Sequence, residues 1–120
     1  MMTARQAVLV MGAGLLLAAM PVLAHHSFKA EYDDNRPIML SGTLTKVTWK
    51  NPHVMLYLDV KDDSGKVTSW ELQLDSPNML MSQGWKIDSL KVGDHLTASG
   101  FPVKNGENVA SIRKITVEGH

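Results

Sequence analysis

Two adjacent histidines, His25 and His26, and a third at His53 are the residues best suited to chemistry in this chain. Neutral imidazole is the commonest metal ligand in proteins and suits copper, zinc and nickel. If His25 were the first residue of a mature chain, its α-amino nitrogen and ring Nδ1 would form a chelate, and His26 would add a third nitrogen. Because Cu(II) favours nitrogens arranged in a plane, we predict a copper site at His25, His26 and His53.

The turn that contains His53 should orient one of the three predicted ligands. His53 follows Asn51-Pro52, and proline restricts the turn so that the imidazole is held in one orientation. The three histidines resemble the histidine-brace sites of exported copper proteins. The alternative is that His25 and His26 are only polar residues and that His53 hydrogen-bonds within its turn.

Residues 1–24 have the pattern of a secretory signal peptide. A basic Arg5 precedes an uncharged apolar run over residues 7–19, and Pro21 and Ala24 follow it. The run is too short for a membrane-spanning helix, which needs about 20 apolar residues. We therefore predict cleavage between Ala24 and His25, a periplasmic or secreted protein, and no stable membrane insertion after cleavage.

Charge bounds the partners that the sequence predicts. The chain has 12 basic and 12 acidic residues, and Arg5 is the only charged residue in positions 1–24, so cleavage leaves 11 against 12 and a formal net charge of −1. A near-neutral chain gives no electrostatic reason to bind a polyanion. We predict a metal ion or a periplasmic protein as partner, and no nucleic acid.

The remaining 96 residues favour one small domain without disulfides, since the chain has no cysteine. Residues 25–37 are polar and predict an extended N-terminal arm. Apolar residues then alternate along three strands, and a phase switch between Leu44 and Val47 predicts a bulge in the first. Asp62 to Gly65 forms a tight turn that closes a hairpin. Ser76-Pro77 begins a short helix that Gly84 ends, and two further strands begin at His95 and Val109.

This element order, β-β-β-α-β-β, predicts an all-β fold with one short helix. A small five-stranded barrel of the OB type has the same order, and we assign it to residues 38–120. An open meander with a packed helix is the competing fold.

Several motifs resemble a family of small exported bacterial proteins classified only as a domain of unknown function. The motifs are Ala-His-His-Ser-Phe at residues 24–28, Asn-Pro-His-Val at residues 51–54, and the segments at residues 76–78, 84–85 and 89–94. The resemblance extends over nearly the whole mature chain. It implies an OB-like periplasmic domain and no established activity, so it implies no catalytic residues.

Two functional hypotheses follow. The first is a periplasmic Cu(II)-binding module that acts as carrier or scavenger through the mature N-terminal histidine. The second is a metal-free OB-like interaction domain that binds a peptide, glycan or protein partner on its barrel face. No nucleophile elbow, phosphate-binding glycine loop or Cys-His pair supports an enzyme, and an oxidative copper enzyme is a variant of the first hypothesis only.

Overall fold

The computed structural model describes Phe28 and residues 30–118, and these residues confirm the predicted order of elements. The alternation of apolar and polar residues produces strands, and the Ser-Pro pair produces the helix. The elements are β1 (Ile38–Thr48), β2 (Met55–Lys61), β3 (Val67–Gln73), α1 (Pro77–Ser82), β4 (His95–Pro102) and β5 (Val109–Val117).

The five strands close into a barrel in the order β1-β2-β3-β5-β4. The pairs β1–β2, β2–β3, β1–β4 and β4–β5 are antiparallel. The pair β3–β5 is parallel and short, because it runs only from Glu71 opposite Val109 to Gln73 opposite Ser111. The closed barrel confirms the predicted fold and excludes the open meander.

Leucine side chains fill the barrel interior. The alternating apolar residues of β2 point inward, and the outward side chains between them are polar or only half-buried. Closure removes the inward side chains from water, and burying a leucine stabilises the fold by about 1.5–3 kcal/mol. The fully buried side chains are Leu44, Val54, Leu56, Leu58, Leu72 and Leu96.

The phase switch in β1 marks a real irregularity. The register of β1 against β2 shifts between Leu44 and Lys46, which confirms the predicted bulge. Gly42 lies just before it, where a Cβ would run into the carbonyl oxygen of Asp59. Glycine is needed there because the two backbones approach closely, as they do where barrel strands bend.

The short helix α1 begins and ends as its sequence predicts. The Ser76 hydroxyl accepts a hydrogen bond from the Met79 amide at 3.2 Å, and Pro77 occupies the first turn. Gly84 follows the helix with a φ of 97°, in the left-handed region that glycine adopts without strain.

The described residues before β1 differ in part from the predicted arm. Phe28, Ala30 and Glu31 have helical backbone instead of extended backbone, which fits the helix preference of alanine and glutamate. Tyr32 belongs to the barrel unit, is only 4% exposed, and pairs with Val103. The predicted signal peptide and cleavage site at residues 1–24 lie outside the described residues. In the part of the chain that the structure describes, no helix is long and apolar enough to cross a membrane.

Candidate functional site

His53 lies in the turn that connects β1 to β2. The Asn51–Pro52 peptide bond within this turn is cis. The buried Val54 that follows is fixed by two backbone hydrogen bonds: its amide donates to Asp75 O at 3.0 Å, and its carbonyl accepts from Leu74 N at 2.9 Å. The turn is therefore attached to the chain that leaves β3, and His53 precedes the attachment point by one residue.

The ring of His53 is oriented by the same segment. Its Nδ1 lies 2.9 Å from the carbonyl oxygen of Leu74. A carbonyl oxygen only accepts hydrogen bonds, so Nδ1 must carry the proton and donate. In the neutral imidazole the lone pair is then on Nε2, and His53 itself is exposed. Histidines that bind metals usually donate their other ring N–H to a carbonyl or carboxylate in this way.

The other two predicted ligands, His25 and His26, lie outside the described residues. Among the residues that the structure describes, no three His, Cys, Asp or Glu side chains are grouped to hold a metal ion. The convergence of His25, His26 and His53 on one metal therefore stays a prediction. Of the three predicted ligands, the described residues contain His53 alone, as an imidazole oriented by Leu74 O.

His95, which the sequence did not include in the site, has a partner of its own. Its Nε2 lies 3.5 Å from Glu118 Oε2, and both side chains are about half exposed. An exposed pair of this kind contributes little to stability because water screens it. His95 therefore serves as a comparison for His53, since both are surface histidines with one partner each.

A row of polar side chains crosses the outer surface of β1, β2 and β3. In the strand register Lys46 lies opposite Tyr57, and Tyr57 lies opposite Glu71. The Tyr57 hydroxyl donates to Glu71 Oε1 at 3.1 Å, and Lys46 Nζ lies 5.2 Å from the centre of the Tyr57 ring. We call Lys46, Tyr57 and Glu71 the Tyr57 row.

The environment of Tyr57 raises the pKa of its phenol above the usual value of 10.0. Burial is the main cause, and the hydrogen bond to Glu71 and the negative charge of Glu71 act in the same direction. The phenol therefore remains a hydrogen-bond donor at neutral pH. The row presents an ammonium group, an aromatic ring and a carboxylate side by side.

Sequence reasoning missed the Tyr57 row, although its signal was present. The alternation in β2 and β3 places Tyr57 and Glu71 on the outward face. The tight turn at residues 62–65 fixes which residues of the hairpin face each other, so counting back from it would have paired them. The position of Lys46 depends on the bulge in β1, and the sequence indicated that bulge without giving its register.

The barrel is similar to solved structures of known proteins. The mitochondrial single-stranded DNA binding protein Rim1 from S. cerevisiae shares 7% identity and a TM-score of 0.52, with 69% of this chain and 93% of that chain covered. A second crystal form of Rim1 gives 5% identity, a TM-score of 0.50, and 69% and 92% coverage. The N-terminal domain of PriB from Thermoanaerobacter tencongensis shares 17% identity and a TM-score of 0.52, with 72% of this chain and 99% of that chain covered. At such low identity the likeness shows the OB fold alone.

The comparison contradicts the exclusion of nucleic acid as a partner, so that prediction is wrong as an exclusion. It relied on the net charge, yet the structures that share the barrel include single-stranded DNA binding proteins. Net charge averages over the whole surface, whereas a barrel can bind a strand through a local row of cationic and aromatic side chains. A formal charge of −1 therefore excludes no class of partner for this fold.

The sequence itself places the chain in a family. No curated protein matches it. Residues 13–112 match the model of a family of unknown function, DUF6152, which confirms the resemblance drawn from the sequence motifs. The chain belongs to this family of unknown function.

Proposed function

We propose that the protein is an exported, periplasmic module that binds Cu(II) and acts as a carrier or scavenger of the metal. Its ligands are His25, as the first residue after cleavage at Ala24, together with His26 and His53. The observation that supports the proposal is the 2.9 Å contact between His53 Nδ1 and Leu74 O. That contact fixes the proton on Nδ1 and leaves Nε2 as a donor atom for a metal.

The proposed ligand set is chemically suited to Cu(II). The ligands are an α-amino group and imidazole nitrogens. Among the divalent first-row metals, Cu(II) binds such donors most strongly. An oriented imidazole also loses less freedom on binding than a mobile one, so His53 strengthens a chelate formed by the other two histidines.

The test is a Cu(II) titration followed by electron paramagnetic resonance on purified mature protein. Four proteins are compared: the chain that begins at His25, the same chain with one extra leading glycine, His53→Ala, and His95→Ala. The extra glycine moves the amine away from His25 and should weaken binding most. His53→Ala should weaken binding less, because a chelate of two or three nitrogens remains at His25 and His26, and it should change the spectrum. His95→Ala is the matched control and should leave the Cu(II) affinity and the spectrum unchanged.

The outcomes separate the ligands. Equal affinity with and without the extra glycine would exclude the N-terminal chelate. An unchanged spectrum in His53→Ala would exclude His53 from the site. Intact mass of the exported protein is the companion measurement, because a chain that keeps residues 1–24 or begins after His25 cannot form the proposed site.

The Tyr57 row favours a second candidate function, that of an interaction domain. OB barrels bind their ligands on the outer face of the second and third strands, where Tyr57 and Glu71 lie. A half-buried aromatic ring beside an ammonium group can stack against a base or a sugar, and the carboxylate can accept hydrogen bonds. The named activity of the Rim1 structures makes a single-stranded oligonucleotide the first probe, with glycan and peptide probes beside it.

The experiment measures binding of each labelled probe by fluorescence anisotropy to wild type, Tyr57→Ala and Tyr57→Phe. Loss of a stacked ring costs about 1–3 kcal/mol per base, so Tyr57→Ala should bind at least about fivefold more weakly. Tyr57→Phe keeps the ring and should bind nearly as well as wild type. Equal binding by Tyr57→Ala, or no binding of any probe by wild type, would exclude this face as the ligand site.

A further inference from the structure

One edge of the barrel is open along the second half of β5. The parallel pairing with β3 ends at Gln73 opposite Ser111, because the chain turns away at Ser76 into α1. Within the described residues, β5 continues to Val117 with β4 on one side and no strand on the other. In a strand paired on one side only, alternate backbone N–H and C=O groups point toward the unpaired side.

A groove follows this open edge. One wall is formed by the β5 residues from Ile112 to Ile115. The other wall is formed by the residues that follow β3, by α1 and by the loop after it. Leu74, Leu80 and Trp85 give this wall an apolar floor, and its polar members are Asp75 and Gln83. Leu74 and Leu80 are buried, and Trp85 is half-buried and packs against the core, so the groove has a firm apolar floor.

The rim of the groove on β5 is basic. The register of β4 against β5 shifts so that Gly100 pairs with Ile112 while Ser99 pairs with Lys114, which leaves Arg113 as the extra residue of a bulge. The bulge puts two consecutive exposed residues, Arg113 and Lys114, on the same surface. Arg113 is held over the ring of Phe101, with its guanidinium carbon 5.9 Å from the ring centre.

Glycine makes this bulge feasible. At Gly100 a Cβ would run into the carbonyl oxygen of Ser111, so β4 and β5 approach closely just before Arg113. The bulge and its two basic residues are therefore fixed features of the sheet and do not depend on a mobile loop.

We propose that the groove between β5 and α1 binds an extended acidic peptide segment of a partner protein by β-strand addition. The open backbone of β5 pairs with the peptide backbone, and an apolar peptide side chain occupies the floor at Leu80 and Trp85. Acidic side chains of the peptide pair with Arg113 and Lys114. A second copy of this chain that paired antiparallel and symmetrically at these residues would place the same two cations against each other, and like charges across a strand pair are unfavourable. The same residues thus reject self-pairing and select an acidic strand.

The probe is a synthetic seven-residue peptide of alternating glutamate and valine, blocked at both ends and labelled for anisotropy. We expect it to bind wild type with a Kd below about 1 mM. Two matched peptides test the mode of binding: one with lysine in place of glutamate, and one with N-methyl groups on alternate amides. Both should bind at least about tenfold more weakly, since the first reverses the charge and the second blocks strand pairing.

The protein variants test the location. Arg113→Glu combined with Lys114→Glu should weaken the glutamate peptide at least about tenfold. Lys66→Glu combined with Lys91→Glu, two exposed lysines on other loops, should leave the Kd within about twofold of wild type. Amide chemical shifts of Ile112 to Val117 and the indole of Trp85 should move on titration. A thermal melt of each variant confirms that the barrel is folded.

Several results would overturn the proposal. The first is a glutamate peptide that does not bind wild type below 1 mM. The second is an N-methylated or lysine peptide that binds as tightly as the glutamate peptide. The third is a charge-reversed variant that binds the glutamate peptide with the wild-type Kd. Shifts at β5 that depend on protein concentration without peptide would show that the edge pairs with a second copy instead.

Discussion

The turns at the two ends of β2 differ in how their conformation is set. The turn before β2 is held by distant residues, because His53 and Val54 bond to Leu74 and Asp75 after β3. The turn after β2 is held by its own residues. Asp62 Oδ1 accepts hydrogen bonds from Ser64 N at 2.9 Å, Ser64 Oγ at 2.6 Å and Lys66 N at 2.9 Å.

The difference teaches where a candidate ligand can be held rigidly. A local turn closes a hairpin and takes its shape from a few neighbouring residues. A turn attached to another strand inherits the rigidity of the barrel core, so a side chain on it keeps one orientation. His53 lies on the turn of the second kind, which is why its ring can serve as an oriented ligand.

The largest expected effect comes from the same substitution made beside each turn. Val54→Ala removes buried methyl groups at a site that is 0% exposed, and should lower the free energy of unfolding by about 2 kcal/mol. Val67→Ala, at a strand residue that is 53% exposed, should lower it by less than about 0.5 kcal/mol. Denaturant unfolding of the two variants measures both. Similar losses would show that the turn before β2 is no more tightly held than the turn after it.

A smaller effect is expected at His53 itself. His53→Ala removes the hydrogen bond to Leu74 O and should lower the free energy of unfolding by about 0.5–1 kcal/mol, since water can replace the donor at an exposed site. The amide of Val54 should exchange faster in the same variant. His95→Ala is the control, because its partner Glu118 is an exposed carboxylate at 3.5 Å. If Val54 exchanges at the wild-type rate, the imidazole does not hold the turn.

The turns also explain how much the sequence could predict. The local pattern from Asp62 to Gly65 predicted the hairpin, and the alternation in the second strand predicted the inward face of Leu56 and Leu58. Both predictions are confirmed. Local signals likewise gave the bulge in β1 and both ends of α1. These features depend on residues that are close in the sequence, where spacing decides the geometry.

Features that depend on barrel closure were beyond the sequence. The short parallel pairing of β3 with β5 brings Glu71 to Val109, whereas the contact of His53 with Leu74 only continues the register of the β2–β3 hairpin. The β3–β5 pairing follows from the shear of the closed barrel, which hydrophobic periodicity does not specify. The groove along β5 was missed for the same reason, and the position of Lys46 was missed because the register of the bulge in β1 was not known.

The smallest and most specific effect is a dependence on pH at the turn after β2. The hydrogen bond from the Ser64 hydroxyl, followed by the bond from the Lys66 amide, lowers the pKa of Asp62 below its usual value of 3.8. A lowered pKa in the folded state means that the ionised carboxylate stabilises the fold. That stabilisation is present above the unfolded pKa and is lost as pH falls through the lower folded pKa.

Two substitutions at Asp62 separate charge from hydrogen bonding. Asp62→Asn keeps an oxygen that accepts the same three hydrogen bonds but has no charge, whereas Asp62→Ala removes the acceptor. At pH 7 the melting temperatures should fall in the order wild type, Asp62→Asn, Asp62→Ala. The gap between wild type and Asp62→Asn should narrow as pH falls below 3.8, because Asp62 is then protonated first in the unfolded chain and, at still lower pH, in the folded chain. Thermal melts across this range measure the gap, and comparison between variants cancels the acid sensitivity of the rest of the barrel. A gap that stays constant with pH would mean that the charge of Asp62 does not stabilise the turn, so that side-chain hydrogen bonding alone sets its shape.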